Sequence, residues 1–406
     1  MCPYCTERLK SLVTDSGPKK TAWIFCFNHG CDDQQSVNIL TSDMLNYIYT
    51  TSLKKDSTET VGMITANSVK KTMAFPKSVE EAIAPEKLSF TTFKWAIFQM
   101  LNQAMNADML PTNILRNMME NPAKYSEIYS NPDKRKTFLK HLSLSKEETA
   151  SLRAVCRVHG VTITNALSAA VLYATSSFFQ GVPVSNTAGV VGSESGLAVK
   201  EKTLRFLLSV GLRPYGVSGR KTGSDAPPSP DWTGGTVACA SGAVDFVASV
   251  PGSSQPYTGE KEGAEQFWGL AKSCKEKAKD IIETSNYVPE SVRLFGFGMK
   301  YADILKVVDM ESRNPGTMGR GYSCGVSNVG LVTLPSPNTN SETNSLRIVE
   351  GYYGTSHARN GVFCLLSTMT VGERFCGSLQ FTSPFISDSD AEQFKEHLLK
   401  IITNLK

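Results

Sequence analysis

Residues 25–34 read Phe-Cys-Phe-Asn-His-Gly-Cys-Asp-Asp-Gln, which places His29 four positions before Asp33. The aromatic-rich apolar residues that precede the histidine predict a β-strand over 22–28. A histidine at the end of a strand can face a cleft while the strand holds its backbone in place. The H-x-x-x-D spacing by itself is weak evidence for a catalytic site, because it arises by chance in many long chains. A turn histidine without chemistry is the plainer interpretation of the spacing alone.

A helix is predicted directly after this turn. Ser36 is a good N-cap, and Val37 and Leu45 belong to an apolar pattern with helical spacing that continues to Ile48. The sequence therefore predicts a helix over 36–49. The histidine would then lie between a strand and a helix, and both would help to fix the direction of its side chain.

Three further segments add to this turn, in order along the chain. Residues 144–167 indicate a helix that leads through a His-Gly turn into a second, long helix. Residues 205–214 indicate a strand with Arg213 near its end, and residues 322–330 a strand with a Ser-Asn-x-Gly turn. With the turn at His29, these segments resemble the HxxxD acyltransferases, which share the chloramphenicol-acetyltransferase-like fold. That superfamily includes alcohol O-acetyltransferases and peptide-synthetase condensation domains.

Among these subfamilies, the sequence is most similar to the alcohol O-acetyltransferase-like group. Condensation domains usually carry two adjacent histidines and an Asp-Gly pair, whereas this chain has Asn28 before the histidine and Gln34 after Asp33. The Asp-Phe-Gly-Trp-Gly loop of the plant enzymes is missing, since the rest of that motif does not follow Asp245-Phe246.

The resemblance implies an α/β chain with the two-lobed coenzyme A-dependent acyltransferase fold, in which helices flank mixed sheets. Residues 1–140 would form a partial N-terminal lobe with the H-x-x-x-D motif and the crossover segment, and residues 141–406 the C-terminal lobe. Family members carry more strands and helices before the histidine than the 28 residues present here. The N-terminal lobe is therefore expected to be incomplete. Strand 22–28 would then have an exposed edge that favours self-association.

The resemblance also implies roles for the residues of the turn. His29 would act as the general base that takes a proton from the acceptor, a task that suits an imidazole with an ordinary pKa near 6.5. Asp33 would turn away from the imidazole and pair with Arg213. Such a bidentate ion pair would hold the turn that aims the histidine.

An acyl transfer also needs a donor that faces the developing oxyanion. Ser327 and Asn328 are the candidates, in a turn where a glycine allows close approach, and Gly30 is a further candidate beside the histidine. A simple tight turn is an equally good interpretation of the Ser-Asn-Val-Gly sequence.

The expected substrates are an acyl-CoA, as co-substrate rather than bound cofactor, and a small alcohol or amine. Two alternatives stay open beside the O-acyltransferase. The chain can be a catalytically impaired, truncated homologue that serves as an interaction protein, or an amide-forming enzyme of the condensation type. The sequence specifies neither the acceptor nor the length of the acyl chain.

The composition, with 41% apolar and 20% charged residues, is typical of a globular, soluble protein. The net charge of +4 is spread without long basic runs, so no nucleic-acid partner is indicated. No apolar run approaches the roughly 20 residues of a membrane span, and the N-terminal sequence lacks the apolar region of a signal peptide. Ten cysteines without such a signal indicate reduced thiols and a cytoplasmic location.

Four cysteines near the N-terminus have the pairwise spacing of a zinc site: Cys2, Cys5, Cys26 and Cys31. Cys26 lies in the predicted strand, where its side chain should face the core, so no metal is predicted. The Cys-Pro-Tyr-Cys sequence at the start also matches a redox motif, but no predicted strand precedes it.

The remaining segments follow simple patterns. Residues 110–140 are predicted to connect the lobes, and residues 216–233 to form a surface loop. An amphipathic pattern predicts a helix over 267–282, and a closing helix is predicted over 389–404. Three strands are predicted between them, over 348–356, 361–370 and 374–382.

Overall fold

The computed structural model describes residues 24, 34–52, 90, 93–94, 96–97, 107–112, 114–115, 120–123, 126, 131–180, 201–212, 241–250, 261–284, 287–301, 303–335 and 348–405. The helices are α1 (Gln34–Ser52), α2 (Lys146–Val158), α3 (Ile163–Phe179), α4 (Lys261–Lys279), α5 (Tyr287–Tyr301), α6 (Ile304–Ser312) and α7 (Asp388–Thr403). The strands are β1 (Lys136–Ser143), β2 (Lys202–Gly211), β3 (Ser241–Val250), β4 (Arg320–Val332), β5 (Gly361–Val371) and β6 (Arg374–Ser383).

The six strands form one mixed sheet in the order β1-β6-β5-β4-β2-β3. Strand β4 lies inside the sheet and runs parallel to both of its neighbours, β5 and β2. The other three pairs, β1 with β6, β5 with β6 and β2 with β3, are antiparallel. The parallel strands β2 and β4 are connected through β3 and the helices α4, α5 and α6. Parallel pairing requires a long connection of this kind.

The helices α2 and α3 flank a His-Gly turn, as the sequence predicts. Ser145 caps α2 and Thr162 caps α3, each in a capping box. His159 is the C-cap of α2, and Gly160 has a φ of 67°, a left-handed conformation that glycine adopts without strain. Most of α3 is buried, and it contacts α4, α7 and β4. This turn therefore places the first residues of α3 beside the central strand.

One face of the sheet packs against the helices and forms the main apolar core. Leu366 of β5 and Leu379 and Phe381 of β6 are almost fully buried there. Phe394 of α7 packs edge-on against Phe381, with ring centroids 5.4 Å apart. We call this side of the sheet the helix face.

The opposite face of β1, β5 and β6 is covered by residues 348–360, which form no strand, so the prediction of a strand over 348–356 is wrong. Side chains of the sheet satisfy the backbone of this segment instead of a neighbouring strand. The Thr355 main-chain N–H donates to Gln380 Oε1 at 2.6 Å, and the His357 N–H donates to Thr137 Oγ1 at 2.8 Å. We call this side of the sheet the covered face.

Several other elements differ from prediction. Helix α1 begins at Gln34, so Ser36 lies inside the helix and is not its N-cap. Strand β1 occupies the end of the segment that was interpreted as a connection between lobes, because Phe138 and Leu142 can reach the core from one face of a strand. Strand β3 and helices α5 and α6 were not predicted.

The other predicted elements are confirmed within a few residues, namely the strands β2, β4, β5 and β6 and the helices α4 and α7. Strand 22–28, apart from Ile24, and loop 216–233 lie outside the described residues. The division into lobes stays a prediction, although β1 continues across residue 140. Within the described part of the chain, no single helix is long and apolar enough to span a membrane; α2 and α3 together pass that test but are bent by 98°.

Candidate functional site

Four predicted site residues lie outside the described part of the chain, so their roles stay predictions: His29, Gly30, Asp33 and Arg213. The elements next to them are described. Helix α1 begins at Gln34, directly after the motif, and β2 ends at Gly211, two residues before the arginine. Helix α1 contacts β4, the strand that carries the remaining two predicted residues. The structure therefore brings the helix that follows the motif next to the strand of the predicted oxyanion donors.

Ser327 and Asn328 are neighbours on β4, and their side chains lie on opposite faces of the sheet. Successive side chains of a strand alternate in this way. The contacts agree with the alternation, because Ser327 binds Tyr353 of the covering segment while Asn328 binds Thr164 of α3. The two candidates cannot both face the same substrate oxygen from this strand.

Ser327 lies on the covered face and is half-buried. The Tyr353 hydroxyl donates to the Ser327 carbonyl oxygen at 2.6 Å and lies 3.0 Å from Ser327 Oγ. Burial raises the pKa of Tyr353 to about 12, so this hydroxyl keeps its proton at neutral pH. Tyr353 therefore contacts both the main chain and the side chain of Ser327 and fixes this residue on the covered face.

Asn328 is used to shape the strand. Its Nδ2 donates to Thr164 Oγ1 at 2.9 Å, and its Oδ1 accepts from the Gly330 main-chain N–H at 2.9 Å. Gly330 has a φ of 84°, and the pairing of β4 with β5 shifts between Asn328 and Leu331. The predicted Ser-Asn-x-Gly turn is thus a bulge inside a longer strand, fixed to the first turn of α3.

A row of polar residues runs from Ser327 across four strands of the covered face. The pairing aligns Ser327 with Ser367, Ser367 with Ser378, and Ser378 with His141. Gln380 Nε2 donates to Ser367 Oγ at 2.5 Å, and Ser378 Oγ lies 3.0 Å from His141 Nδ1. The covered face therefore contains a hydrogen-bonded polar layer that begins at the predicted oxyanion donor.

A cavity of about 330 Å³ opens beside Asn328, where α2 and α3 meet the bulge of β4. Arg153 and Arg157, four residues apart on α2, form its basic wall. Phe375 and Ile163 form an apolar wall. The cavity therefore combines cationic and apolar surface next to a predicted site residue.

The histidines of the described residues have structural contacts. His159 stacks on Trp268 with ring centroids 4.0 Å apart, and His357 Nε2 lies 2.8 Å from Thr355 Oγ1. His159 is also the C-cap of α2. His397 of α7 is buried, and burial lowers its pKa to about 4, so its ring is neutral at pH 7.

The described cysteines are free and buried: Cys156, Cys274, Cys324, Cys364 and Cys376. Burial raises the pKa of Cys156 to about 11 and that of Cys274 to about 12, so these thiols are not nucleophiles at neutral pH. Within the described residues, no group of three histidine, cysteine or acidic side chains is placed to hold a metal ion. The cysteines considered for zinc, Cys2, Cys5, Cys26 and Cys31, lie outside those residues.

Sequence reasoning missed three residues of this region. Tyr353 was placed in a strand, and its contact with Ser327 joins positions 26 residues apart. Arg153 and Arg157 carry a visible signal, since two arginines four residues apart on a helix share one face. Only the fold shows that this face meets the bulge of β4.

Comparison with solved structures supports the same architecture. The trichothecene 15-O-acetyltransferase from Fusarium sporotrichioides is similar to this chain with a TM-score of 0.56 and 9% sequence identity, over 92% of this chain and 64% of the enzyme. The chain thus spans less than two thirds of the enzyme's length. The predicted α/β fold, with a mixed sheet and flanking helices, is confirmed.

Two other solved structures are more distant. The polyketide synthase associated protein 5 from Mycobacterium tuberculosis has a TM-score of 0.48 and 15% identity, over 92% of this chain and 72% of that one. The first condensation domain of the calcium-dependent antibiotic synthetase has a TM-score of 0.41 and 11% identity, over 93% of this chain and 62% of that one. No protein-family model and no curated protein matches the chain.

Proposed function

We propose that this chain is an acyl-CoA-dependent O-acyltransferase that transfers a short acyl group, in the first instance acetyl, to an alcohol. The observation that carries the proposal is the fold of an O-acetyltransferase together with an H-x-x-x-D motif directly before helix α1. Helix α1 contacts β4, which supports a site between the motif and Ser327. The acceptor and the acyl chain length are open parts of the proposal.

In the proposed reaction both substrates are bound together and no acyl-enzyme forms. His29 takes the proton of the acceptor hydroxyl as its oxygen attacks the thioester carbonyl carbon. A C–O bond forms and the C–S bond breaks. The proton then passes from His29 to the leaving thiolate, so the products are an ester and free coenzyme A. Asp33 and Arg213 are proposed to pair and hold the turn of His29.

Ser327 is the better of the two proposed oxyanion donors. Its hydroxyl is held 3.0 Å from the Tyr353 hydroxyl, whereas Asn328 Oδ1 and one of the two N–H groups of Asn328 Nδ2 are bound within the protein. A donor that is held in place before the reaction stabilises the developing charge without a reorganisation penalty. Gly30 stays a proposed part of the same site.

The proposal is tested by thiol release from acetyl-CoA in the presence of a panel of alcohols and amines. The wild-type chain should release thiol in an acceptor-dependent way, and His29→Ala should lower the rate by about 10²–10⁴-fold, as loss of a general base does. His159→Asn is the matched control, because asparagine is tolerated at a helix C-terminus and this histidine lies at the end of α2. Equal rates for the wild type and His29→Ala would refute the role of the motif.

An interaction protein without catalysis is the second candidate function. The observation that favours it is a set of exposed apolar side chains on α5 and α6: Phe295, Phe297, Tyr301, Leu305 and Met310. Exposed apolar surface of this kind is typical of sites that bind other proteins. Absence of acyl transfer to every acceptor, in protein that folds and binds coenzyme A, would favour this candidate. An amide product with amines alone would instead favour the condensation-type reaction.

A further inference from the structure

The cavity beside Asn328 has the size and walls of a partial ligand site. Its volume of about 330 Å³ is at the lower end of the range for ligand pockets, roughly 300–1,000 Å³. It can therefore hold one end of a large ligand rather than the whole of it. Its lining residues are Arg153, Arg157, Ile163, Asn328, Gly330, Leu331, Thr370 and Phe375.

The charged side chains that line the cavity are basic. Arg153 is half-buried and Arg157 is exposed, and both lie on the face of α2 that borders the cavity. Among the described residues, no acidic side chain lines the cavity. In the described part of the chain, neither arginine forms an ion pair, although other arginines there do so with nearby carboxylates: Arg293 with Glu290, Arg313 with Asp309, and Arg359 with Asp133.

Arg153 and Arg157 have no ion-pair partner in the described part of the chain, and their guanidinium groups over a small cavity match an anion that carries several oxygens. The arginine side chain presents a planar fork of donors that binds phosphate in a bidentate manner. The apolar wall of Ile163 and Phe375 matches a ligand whose anionic end continues into a less polar portion. We infer that this cavity binds phosphate groups of the acyl-CoA donor, with Arg153 and Arg157 as the phosphate-binding residues, an inference that rests on the proposed function.

The cavity also has an open edge at the bulge of β4. Gly330 lies at its edge, and a Cβ added to this glycine would have no heavy atom within 4 Å, so the space above the bulge is open. Ser327 lies three residues before Gly330 on the same strand. A donor held by its phosphates at α2 would therefore lie next to the bulge on the helix face, while Ser327 faces the covered face of the same strand.

The inference is tested by equilibrium binding, which does not depend on turnover. The dissociation constants of coenzyme A, its 3′-dephospho form and pantetheine are measured for the full chain by calorimetry. The double variant Arg153→Gln with Arg157→Gln should lose about 10-fold or more in affinity for coenzyme A, because charged hydrogen bonds are lost. Its affinity for pantetheine should not change. The matched control, Lys272→Gln with Lys306→Gln, removes the same charge from exposed positions on α4 and α6.

Each outcome separates this inference from the proposed function. Binding of coenzyme A that depends on the two arginines supports the inference even if no acyl transfer occurs to any acceptor. Equal affinity of the wild type and the double variant overturns the inference, even if His29-dependent transfer is present. Restoring charge with Arg153→Lys and Arg157→Lys should recover only part of the affinity, since lysine cannot bind phosphate in a bidentate manner. If the control variant Lys272→Gln with Lys306→Gln lost as much affinity as the arginine double variant, the effect would come from net charge. That result would also overturn the inference.

Discussion

The two faces of the sheet differ in chemistry although they share the same strands. On β5, Leu366 belongs to the helix face and packs into the main core, while the next residue, Ser367, belongs to the covered face and accepts from Gln380. On β6, Leu379 and Ser378 alternate in the same way, and Ser378 lies 3.0 Å from the His141 ring nitrogen. Both faces are buried at these positions.

This difference indicates a division of roles between the faces. Apolar burial on the helix face supplies non-directional stability, of about 25 cal/mol per Å² removed from water. A buried polar layer contributes less net stability, but its hydrogen bonds fix side chains in definite orientations. The covered face is therefore suited to hold Ser327 in position, and the helix face to hold the sheet together.

The largest expected effect tests this division directly on β5. Leu366→Ala should lower the free energy of unfolding by about 2–5 kcal/mol, because it leaves a cavity in the main core. Ser367→Ala, its neighbour, should lower it by only about 1–2 kcal/mol, through the loss of one buried hydrogen bond. Urea unfolding of both variants at pH 7 measures the difference. An equal or larger effect of the serine variant would contradict the division.

The second prediction separates the two neighbours on β4, and it depends on the proposed reaction. Ser327→Ala should lower kcat by about 10²–10³-fold, as removal of an oxyanion donor does. Asn328→Ala should act on stability, by about 1–2 kcal/mol, because it frees the bulge from α3. Steady-state kinetics and urea unfolding of both variants are the measurements. A larger fall in kcat for the asparagine variant would place the reacting carbonyl on the helix face.

The third prediction compares a histidine on each side of the sheet. His397 is buried among the helices, and its Nε2 atom has no hydrogen-bond partner among the described residues. His141 lies beside Ser378 on the covered face. Burial lowers the pKa of His397 from 6.5 to about 4. As the pH falls below about 6.5, the unfolded chain binds a proton at this histidine that the folded chain does not, so stability falls with it.

The expected size of this pH effect is modest. Between pH 7.5 and pH 5, His397 should account for about 2 kcal/mol of lost stability. Replacing it with an apolar side chain of similar length, His397→Leu, should remove that part of the pH dependence, as measured by urea unfolding at the two values. An unchanged pH dependence would show that the ring is already protonated or solvated in the folded chain.

Much of the architecture could be predicted from local sequence, for physical reasons. The His-Gly turn between α2 and α3 follows from a helix cap and a glycine with positive φ, which local chemistry specifies. Strands β5 and β6 have strongly apolar patterns. The segment 348–356 was misassigned because Tyr352 and Tyr353 favour a strand in composition, while its hydrogen bonds go to side chains such as Gln380.

The candidate site was predictable only in part. The Ser327 and Asn328 pair was recognisable as a motif, and the alternation of a strand implied opposite faces once the strand was known to continue past Gly330. The cavity between Arg153, Arg157 and the bulge joins residues more than 170 positions apart, so no local pattern could reveal it. His29, Asp33 and Arg213 stay predictions from the sequence.

The central claim is that the chain transfers an acyl group from a thioester to a hydroxyl with His29 as base. The most direct measurement follows isotopically labelled acetyl-CoA with the full chain and an alcohol panel, and counts ester and free thiol by mass spectrometry in the same sample. The account predicts equal amounts of ester and thiol for the wild type, and loss of both products in His29→Ala. Thiol without ester, or ester formation that persists in His29→Ala, would contradict it.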